Sequence, residues 1–429
     1  MNRILMIKLE ENIGKQVMIQ GWLHKVKNLG KIAFLYVRDR SGIVQCVVNT
    51  KEIDIKGMRV ESVIQITGEV TSSGSKTEKI EVQVISMQVL NKVNHELPME
   101  VNKENIEASL DVMIHNRVLS FRNKKVASIF KVQECISKSF AEFLRKEGFK
   151  EIFTPKIVKE GTEGGTELFE VKYFNEKAYL AQSPQFYKQM MVSSGFERVF
   201  EIGHVYRAES HDTKRHINEF ISLDLEMGFI KDEYELMELE EKLIEYMINN
   251  IKEECMNEVE LLQVNLPIIG EEIPKMKLSE AIEILKTQYK KINLEKDIDP
   301  EGEKLISEYV KEKYKSDFVF LTHYPQEKRP MYTMPADNGE TKSFDLIFRG
   351  LEITTGGQRI HNYEILKEKM IEKGLNPENF EGYLSAFKYG MPPHGGLAIG
   401  LERITASFLG IENVREATMF TRDKNRLVP

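Results

Sequence analysis

Two runs of alternating side chains around a polar turn constrain this chain more than any other feature. Along an extended strand successive side chains point to opposite faces, so Phe200, Ile202 and Tyr206 share one face while Arg207 and Glu209 share the other. After the polar stretch 209–215 the alternation resumes over 218–229. Ile221, Leu223, Leu225, Met227 and Phe229 fall on one face, and Phe220, Ser222, Asp224 and Glu226 on the other. An antiparallel hairpin of this kind has one apolar, buried face and one polar face that carries function. Taken alone, Arg207-Ala208-Glu209 reads as an ion-paired surface hairpin. The segments that accompany it change that reading.

With 429 residues, 41% hydrophobic and 30% charged, the chain is long enough for two or three domains with ample cores. No apolar run approaches the roughly 18 to 20 residues that span a bilayer, and the N-terminus lacks the basic-then-apolar order of a signal peptide, so a cytoplasmic location is expected. Cys46, Cys135 and Cys255 are too few and too scattered for a disulfide framework or a zinc site. A net charge of -7 argues against a surface that coats nucleic acid as a whole. Local basic patches facing RNA remain open, because phosphates respond to the field where they sit.

Short strands are expected at 16–22, 32–38, 43–48, 62–70 and 79–89, separated by turns such as Asp39-Arg40-Ser41-Gly42. Five strands in this span suggest a small OB-type barrel over 1–92, although periodicity does not separate it from other small all-β modules. Residues 93–120 are polar and irregular and read as a linker. Over 121–429, helical stripes (Val126, Ile129, Ile136, Phe140; Leu236, Leu239, Leu243, Met247) interleave with strands at 318–322, 343–348 and 351–354, the last two joined at Arg349-Gly350. Helices at about 270–315 read as an insertion, with Ser279 expected as an N-cap and Asp299-Pro300 as a helix start. The whole is α+β, its second domain built on an antiparallel sheet with flanking helices.

The hairpin, the Arg215-His216 loop and Gly400-Leu401-Glu402-Arg403 resemble motifs 2 and 3 of class II aminoacyl-tRNA synthetases. Further segments narrow the resemblance to aspartyl-tRNA synthetases of the shorter, archaeal-type group of subclass IIb. They are Phe149-Lys150-Glu151-Ile152-Phe153-Thr154-Pro155 (like motif 1), Glu163-Gly164-Gly165-Thr166-Glu167-Leu168-Phe169, Gln182-Ser183-Pro184-Gln185-Phe186-Tyr187-Lys188, Gly350-Leu351-Glu352-Ile353-Thr354-Thr355-Gly356-Gly357-Gln358-Arg359 and the ending Thr421-Arg422-Asp423-Lys424-Asn425-Arg426-Leu427. The resemblance implies activation of L-aspartate with ATP to aspartyl-adenylate, then transfer to the 3′ end of tRNA(Asp). Such a reaction needs no side-chain nucleophile; positioning two anions and stabilising charge on phosphorus suffice.

By the same resemblance, Arg207 and Arg403 are the catalytic cations. Arg207 bridges the α-phosphate and the amino-acid carboxylate, Glu209 meets the adenine amino group, Phe220 stacks under the base, and Arg215, His216 and Ile217 sit on the loop toward the distal phosphates. Gly400, Leu401, Glu402 and Arg403 close the other side, with Gly400 giving close backbone approach. Glu352 and Thr355 hold Mg2+, Thr355 standing where this group usually has serine. Aspartate is held by Glu163, Gln185, Lys188, Arg207, Asp224, Thr355 and Arg359, Lys188 and Arg359 taking its side-chain carboxylate. Alone, Lys188 reads as a solvated helix lysine and Glu352 as a strand carboxylate paired with Arg349.

For the barrel the resemblance implies anticodon reading, with Phe34 stacking, Gln45 at a base edge, Arg38 between them and His24 nearby; alone, Phe34 reads as core. Enzymes of this group restricted to tRNA(Asp) tend to carry tryptophan where His24 stands and a lysine near Ser75. The expectation is therefore that tRNA(Asn) is charged as well. The motif 1 segment implies a homodimer; neither membrane nor DNA is an expected partner. A silent RNA-binding paralogue, an asparagine-specific relative and an ammonia-using asparagine synthetase are the competing readings.

Overall fold

Alternating strands in the first ninety residues close on themselves. β1 (Gln16–Asn28), β2 (Ile32–Arg38), β3 (Ile43–Asn49), β4 (Val63–Ser72) and β5 (Ile80–Asn91) form a closed barrel in the order β1-β2-β3-β5-β4. This computed structural model describes residues 2–73, 79–161 and 167–429. Val17, Ile19, Ala33, Leu35, Val37 and Ile66 fill the interior. On β2 the period of two leaves Phe34, Tyr36 and Arg38 half-buried on the outside. The turn before β3 is set by Asp39, whose Oδ1 accepts from Ser41 N (2.7 Å), Ser41 Oγ (2.6 Å) and Gly42 N (3.2 Å).

The chain divides into two compact units, Met1–Ala108 and Ser109–Pro429. The stretch read as a linker is thus split, and its last part is structured. It holds α1 (Leu110–His115) and α2 (Arg117–Ser120), and Arg117 is 2% exposed. Its guanidinium donates to the carbonyls of Glu416 (2.9 Å), Thr418 (2.6 Å) and Met419 (3.1 Å). A buried arginine that satisfies distant carbonyls leaves no periodicity in its own segment.

In the second unit, α3 (Lys124–Lys146) starts at Asn123, whose side chain caps it, and ends before Gly148 at φ +84°. Then come β6 (Lys150–Glu151), a small sheet of β7 (Ile157–Val158), β8 (Glu170–Tyr173) and β9 (Glu176–Leu180), α4 (Gln185–Met191), the hairpin β10 (Arg198–Tyr206) and β11 (Glu219–Gly228), and helices α5 (Tyr234–Glu254) and α6 (Met256–Leu262). The insertion comprises β12 (Lys275–Lys277), α7 (Leu278–Gln288) and α8 (Pro300–Tyr314). Ser279 does not cap α7, which begins one residue earlier with no side-chain cap; Asp299 does cap α8, accepting from Gly302 N at 2.8 Å. β13 (Phe318–Thr322), β14 (Ser343–Phe348), β15 (Leu351–Arg359), α9 (Tyr363–Glu372), α10 (Glu381–Lys388), β16 (His394–Gly400) and α11 (Leu401–Leu409) complete it.

The main sheet runs β12-β13-β14-β15-β16-β11-β10-β6. Its six inner strands are antiparallel, and the edge strands β12 and β6 join in parallel. Arg349 (φ +49°) and Gly350 (φ +79°) make the tight β14–β15 turn. One expectation for the hairpin fails. Residues 222–227 are buried on both faces, because the polar face is roofed by charged side chains from α4 and β15. β11 also ends at Gly228, so Phe229, at φ +62°, leaves the apolar row and is exposed.

Candidate active site

Sheet register assembles the polar row. Asp224 lies opposite Ala398, Ala398 opposite Thr355, and Thr355 opposite Asp345, so four strands present one line of side chains. Beyond the end of β10 the hairpin is held by Asn218. Arg207 N donates to Asn218 O (2.9 Å), while Asn218 Nδ2 donates to the carbonyls of Arg207 (2.7 Å) and Glu209 (3.0 Å). Asn218 was not singled out in the sequence, since an asparagine in a polar turn is unremarkable there.

Two recesses open along this row. The first is lined by Arg207, Glu209, Arg215, His216, Ile217, Phe220, Glu352, Thr355, Gly400, Glu402 and Arg403. The second is lined by Gln185, Arg207, Asp224, Arg329, Thr355 and Arg359, among others. Arg207, Ser222, Thr355 and Ala398 belong to both. The Arg207 guanidinium sits 5.5 Å from the Phe220 ring, and its Nε is buried with no hydrogen-bond partner. Glu209 Oε2 and Asp224 Oδ2 are likewise buried acceptors with no hydrogen-bond partner. His216 Nε2 lies 3.7 Å from Glu209, and burial pushes this imidazole below its ordinary range, against the pull of Glu209. A wider cleft, about 830 Å³, lies between α7 and the 323–340 segment and contains none of these residues.

Two motif 3 residues behave differently from expectation. Leu401 is buried in the first turn of α11 and does not line the nucleotide recess. Glu402 lines it but turns its carboxylate to Ile221 N, 3.2 Å from each oxygen, which ties α11 to β11; burial raises this carboxyl to about 8. Gly400 has ordinary backbone geometry, and the nearest atoms a Cβ there would meet are those of the Arg403 side chain, at 3.6 Å and beyond. Arg403 Nη1 reaches Glu352 O at 3.2 Å and Glu352 Oε1 at 3.5 Å.

Thr355 Oγ1 donates to Glu352 Oε1 at 3.2 Å. Asp345, which sequence reasoning missed on a fully buried strand, sits opposite Thr355 and pairs with Arg329 at 2.8 Å. Burial raises its carboxyl to about 6 against the pull of Arg329, and Oδ1 has no partner. Among the described residues no group of three or more His, Cys, Asp and Glu side chains is gathered as a metal site. An oxygen set of one or two carboxylates and a hydroxyl nevertheless fits Mg2+, which takes its remaining ligands from phosphate and water.

Behind the second recess lies a buried charge cluster. Lys188 is 1% exposed, and its ammonium donates to Asp224 Oδ1 (2.9 Å), Leu225 O (3.2 Å) and Leu397 O (3.2 Å), with Glu226 Oε2 at 3.4 Å. It is not among the residues lining the recess; its ammonium is turned to the two acids behind it. Arg359 does line it, donating from Nε to Glu226 Oε1 (3.2 Å) and from Nη2 to Gly396 O (2.9 Å). Gln185 Nε2 donates to Glu226 Oε2 at 3.3 Å. Glu226 is therefore the hub, although only its place on the polar face was legible. Its neighbour His394 donates from Nδ1 to Pro392 O (2.9 Å). His394 Nε2 then accepts from Gln189 (2.8 Å), and burial lowers its pKa to about 4. Glu163 and Ser75 lie outside the described residues.

On the barrel, Phe34 is half-buried on the outer face of β2 and does not join the barrel interior. Gln45 is buried, with Oε1 accepting from Tyr36 OH and Nε2 donating to Glu81, both at 2.9 Å. Arg38 grips Glu61 (2.8 and 3.1 Å) and donates to His24 Nδ1 at 3.1 Å. Burial, then Arg38, depresses the His24 pKa, so the ring is neutral and Nε2 is its remaining donor. Cys46, Cys135 and Cys255 are all buried free thiols.

Known families match this architecture. Residues 109–424 match the tRNA synthetases class II (D, K and N), and residues 17–90 an OB-fold nucleic acid binding domain. The chain belongs to the class II tRNA synthetases of the D, K and N group. Among curated relatives, the aspartate–tRNA(Asp/Asn) ligase of Thermus thermophilus is 45% identical over all of both chains, and the aspartate–tRNA(Asp) ligase of Pyrococcus abyssi 45% over 98% of each. The crystal structure of Pyrococcus horikoshii asparaginyl-tRNA synthetase with asparaginyl-adenylate superposes with a TM-score of 0.93 at 31% identity, covering all of both chains. No helix among the described residues is long and apolar enough to cross a membrane.

Proposed function

We propose that this chain is an aspartate–tRNA ligase that activates L-aspartate with ATP and passes the aspartyl group to tRNA(Asp) and tRNA(Asn). The observation that carries the reading is that Arg207 borders both recesses with an unpartnered buried Nε. One guanidinium there meets the α-carboxylate on one side and the α-phosphate on the other, which brings nucleophile and phosphorus together and spreads the charge of the transition state. Glu209 Oε2 accepts from the adenine amino group, Phe220 supports the base, and Arg403 closes the opposite wall. Asp224 Oδ2 accepts from the substrate ammonium. Arg359 takes the side-chain carboxylate, with Lys188 neutralising the two acids behind it. Glu352 and Thr355, with Asp345 beside them, are the residues that would hold Mg2+. The ion supplies charge neutralisation on the phosphates when bound.

Gly396 leaves room for the Glu226 carboxylate behind this pocket, since a Cβ there would stand 2.1 Å from Glu226 Oε2 and 2.2 Å from Leu225 O and would push the partner of Arg359 out of place. Gly396→Ala is expected to raise KM for aspartate at least roughly tenfold in pyrophosphate exchange, while ATP still raises the melting temperature; an unchanged KM contradicts the assigned pocket.

For the tRNA, neutral His24 offers a small donor where a tryptophan would fill space. Charging purified tRNA(Asp) and tRNA(Asn) in parallel tests this. Rates within roughly tenfold are expected, and His24→Trp is expected to depress only the tRNA(Asn) rate. A preference above roughly a thousandfold, about 4 kcal/mol, overturns dual charging. No aspartate-dependent pyrophosphate exchange, or exchange with asparagine instead, overturns the amino-acid reading. Assembly as a homodimer through 149–155 accords with Phe153, which is 86% exposed beside β6.

A further inference from the structure

We propose that Glu303, on the insertion helix α8, is a positioning residue for the nucleotide, holding Arg215 of the β10–β11 loop at the edge of the recess. Resting on the nucleotide site argued above, the inference gives the insertion a part in the reaction. Arg215 lines the recess and Glu303 does not, so any effect of Glu303 on the triphosphate passes through the guanidinium.

The geometry is that of a brace. Arg215 Nη1 meets Glu303 Oε2 at 2.6 Å, and Arg215 Nη2 donates to Gly350 O at 2.8 Å, so two fixed acceptors orient one planar fork. Both acceptors are themselves anchored. Asp299 and Pro300 start α8 so that Glu303 lies in its first turn. Ser307 Oγ, one turn on, accepts from Gly350 N at 2.9 Å. Gly350 also packs so closely on α8 that a Cβ would stand 2.7 Å from Lys304 Cγ. The helix and the β14–β15 turn therefore form one rigid seat for Arg215, which lets the loop arginine meet phosphate without first being ordered. The carboxylate is largely desolvated; burial raises it to about 7 against the pull of Arg215, with Glu352 adding to the rise. A lone loop arginine would instead have to lose its side-chain freedom on binding.

The test uses the full-length protein. Glu303→Ala should raise KM for ATP in pyrophosphate exchange about tenfold, with kcat changed less than about threefold and KM for the amino acid unchanged. Glu303→Gln, which keeps the volume and one acceptor oxygen, should fall between wild type and the alanine variant. Adding Glu303→Ala to Arg215→Ala should change KM for ATP no further. A KM for ATP within about twofold of wild type in both Glu303 variants would overturn the proposal, as would additive effects in the double variant. A lowered KM would also overturn it, because Glu303 would then be competing with phosphate for Arg215. Binding is read separately as the ATP-induced rise in melting temperature without amino acid. No rise in wild type counts against the nucleotide site itself, whereas a full rise in Glu303→Ala counts against this proposal alone.

Discussion

Arg207→Ala is expected to lower kcat/KM for aspartate-dependent pyrophosphate exchange at least roughly a thousandfold, a loss of about 4 kcal/mol in transition-state stabilisation. The size follows from position: this guanidinium borders both recesses, so in the proposed role its removal would take away the contact that brings two anions together as well as the charge that stabilises their reaction. Arg207→Lys keeps the charge but loses the planar fork, and the expected loss is still roughly a hundredfold. Neither change should unfold the protein, because Asn218 holds the backbone of 207–209 independently of the side chain. Steady-state exchange beside a thermal melt separates these effects. An Arg207→Ala variant within tenfold of wild type is incompatible with the bridging role.

Glu226→Ala is expected to destabilise the catalytic unit by about 3 to 5 kcal/mol, read as a fall in denaturant midpoint. Glu226 is fully buried and lies between Lys188 and Arg359. Removing it leaves two cations with one remaining carboxylate, Asp224, and the penalty is that of buried charge without compensation. Glu226→Gln keeps the volume and one acceptor and should lose less. Burial alone would raise the Glu226 pKa, but Arg359 and Lys188 outweigh it and the pKa is lowered. Its ionised form is thus favoured by folding. The stabilisation is present above the ordinary glutamate range near pH 4.5 and is lost as pH falls through the lower folded value. The wild-type advantage over Glu226→Ala should accordingly shrink in acid; a loss below about 1 kcal/mol at neutral pH would remove Glu226 as the hub.

Much of the fold was legible because periodicity survives wherever one face is buried and the other is not. The barrel strands, α3, α5 and the β14–β15 turn lie within a few residues of where alternation and helical spacing put them, except that β1 continues past the expected end at 22 to Asn28. Periodicity failed where both faces were covered or where order came from afar. In β11, residues 222–227 are all buried, so nothing in the pattern separates a roofed polar face from a solvent-facing one. Arg117 and Asp345 went unnoticed because their partners lie far along the chain or on another element. Lys188 shows the same limit: its residue type was read from the motif, but the saturation of its ammonium by Asp224 and two carbonyls depends on strands 36 and 209 residues away.

What the sequence determined by itself was the sequence of elements, the two-part architecture and the kinds of side chain offered to a nucleotide and an amino acid. Local alternation, caps and turn residues act between near neighbours and need no other part of the chain. The tertiary structure alone decided which groups share a recess and which acceptors are left without partners. It also set the insertion helix against Arg215. Those outcomes depend on sheet register and on desolvation, which arise only when segments hundreds of residues apart exclude water together.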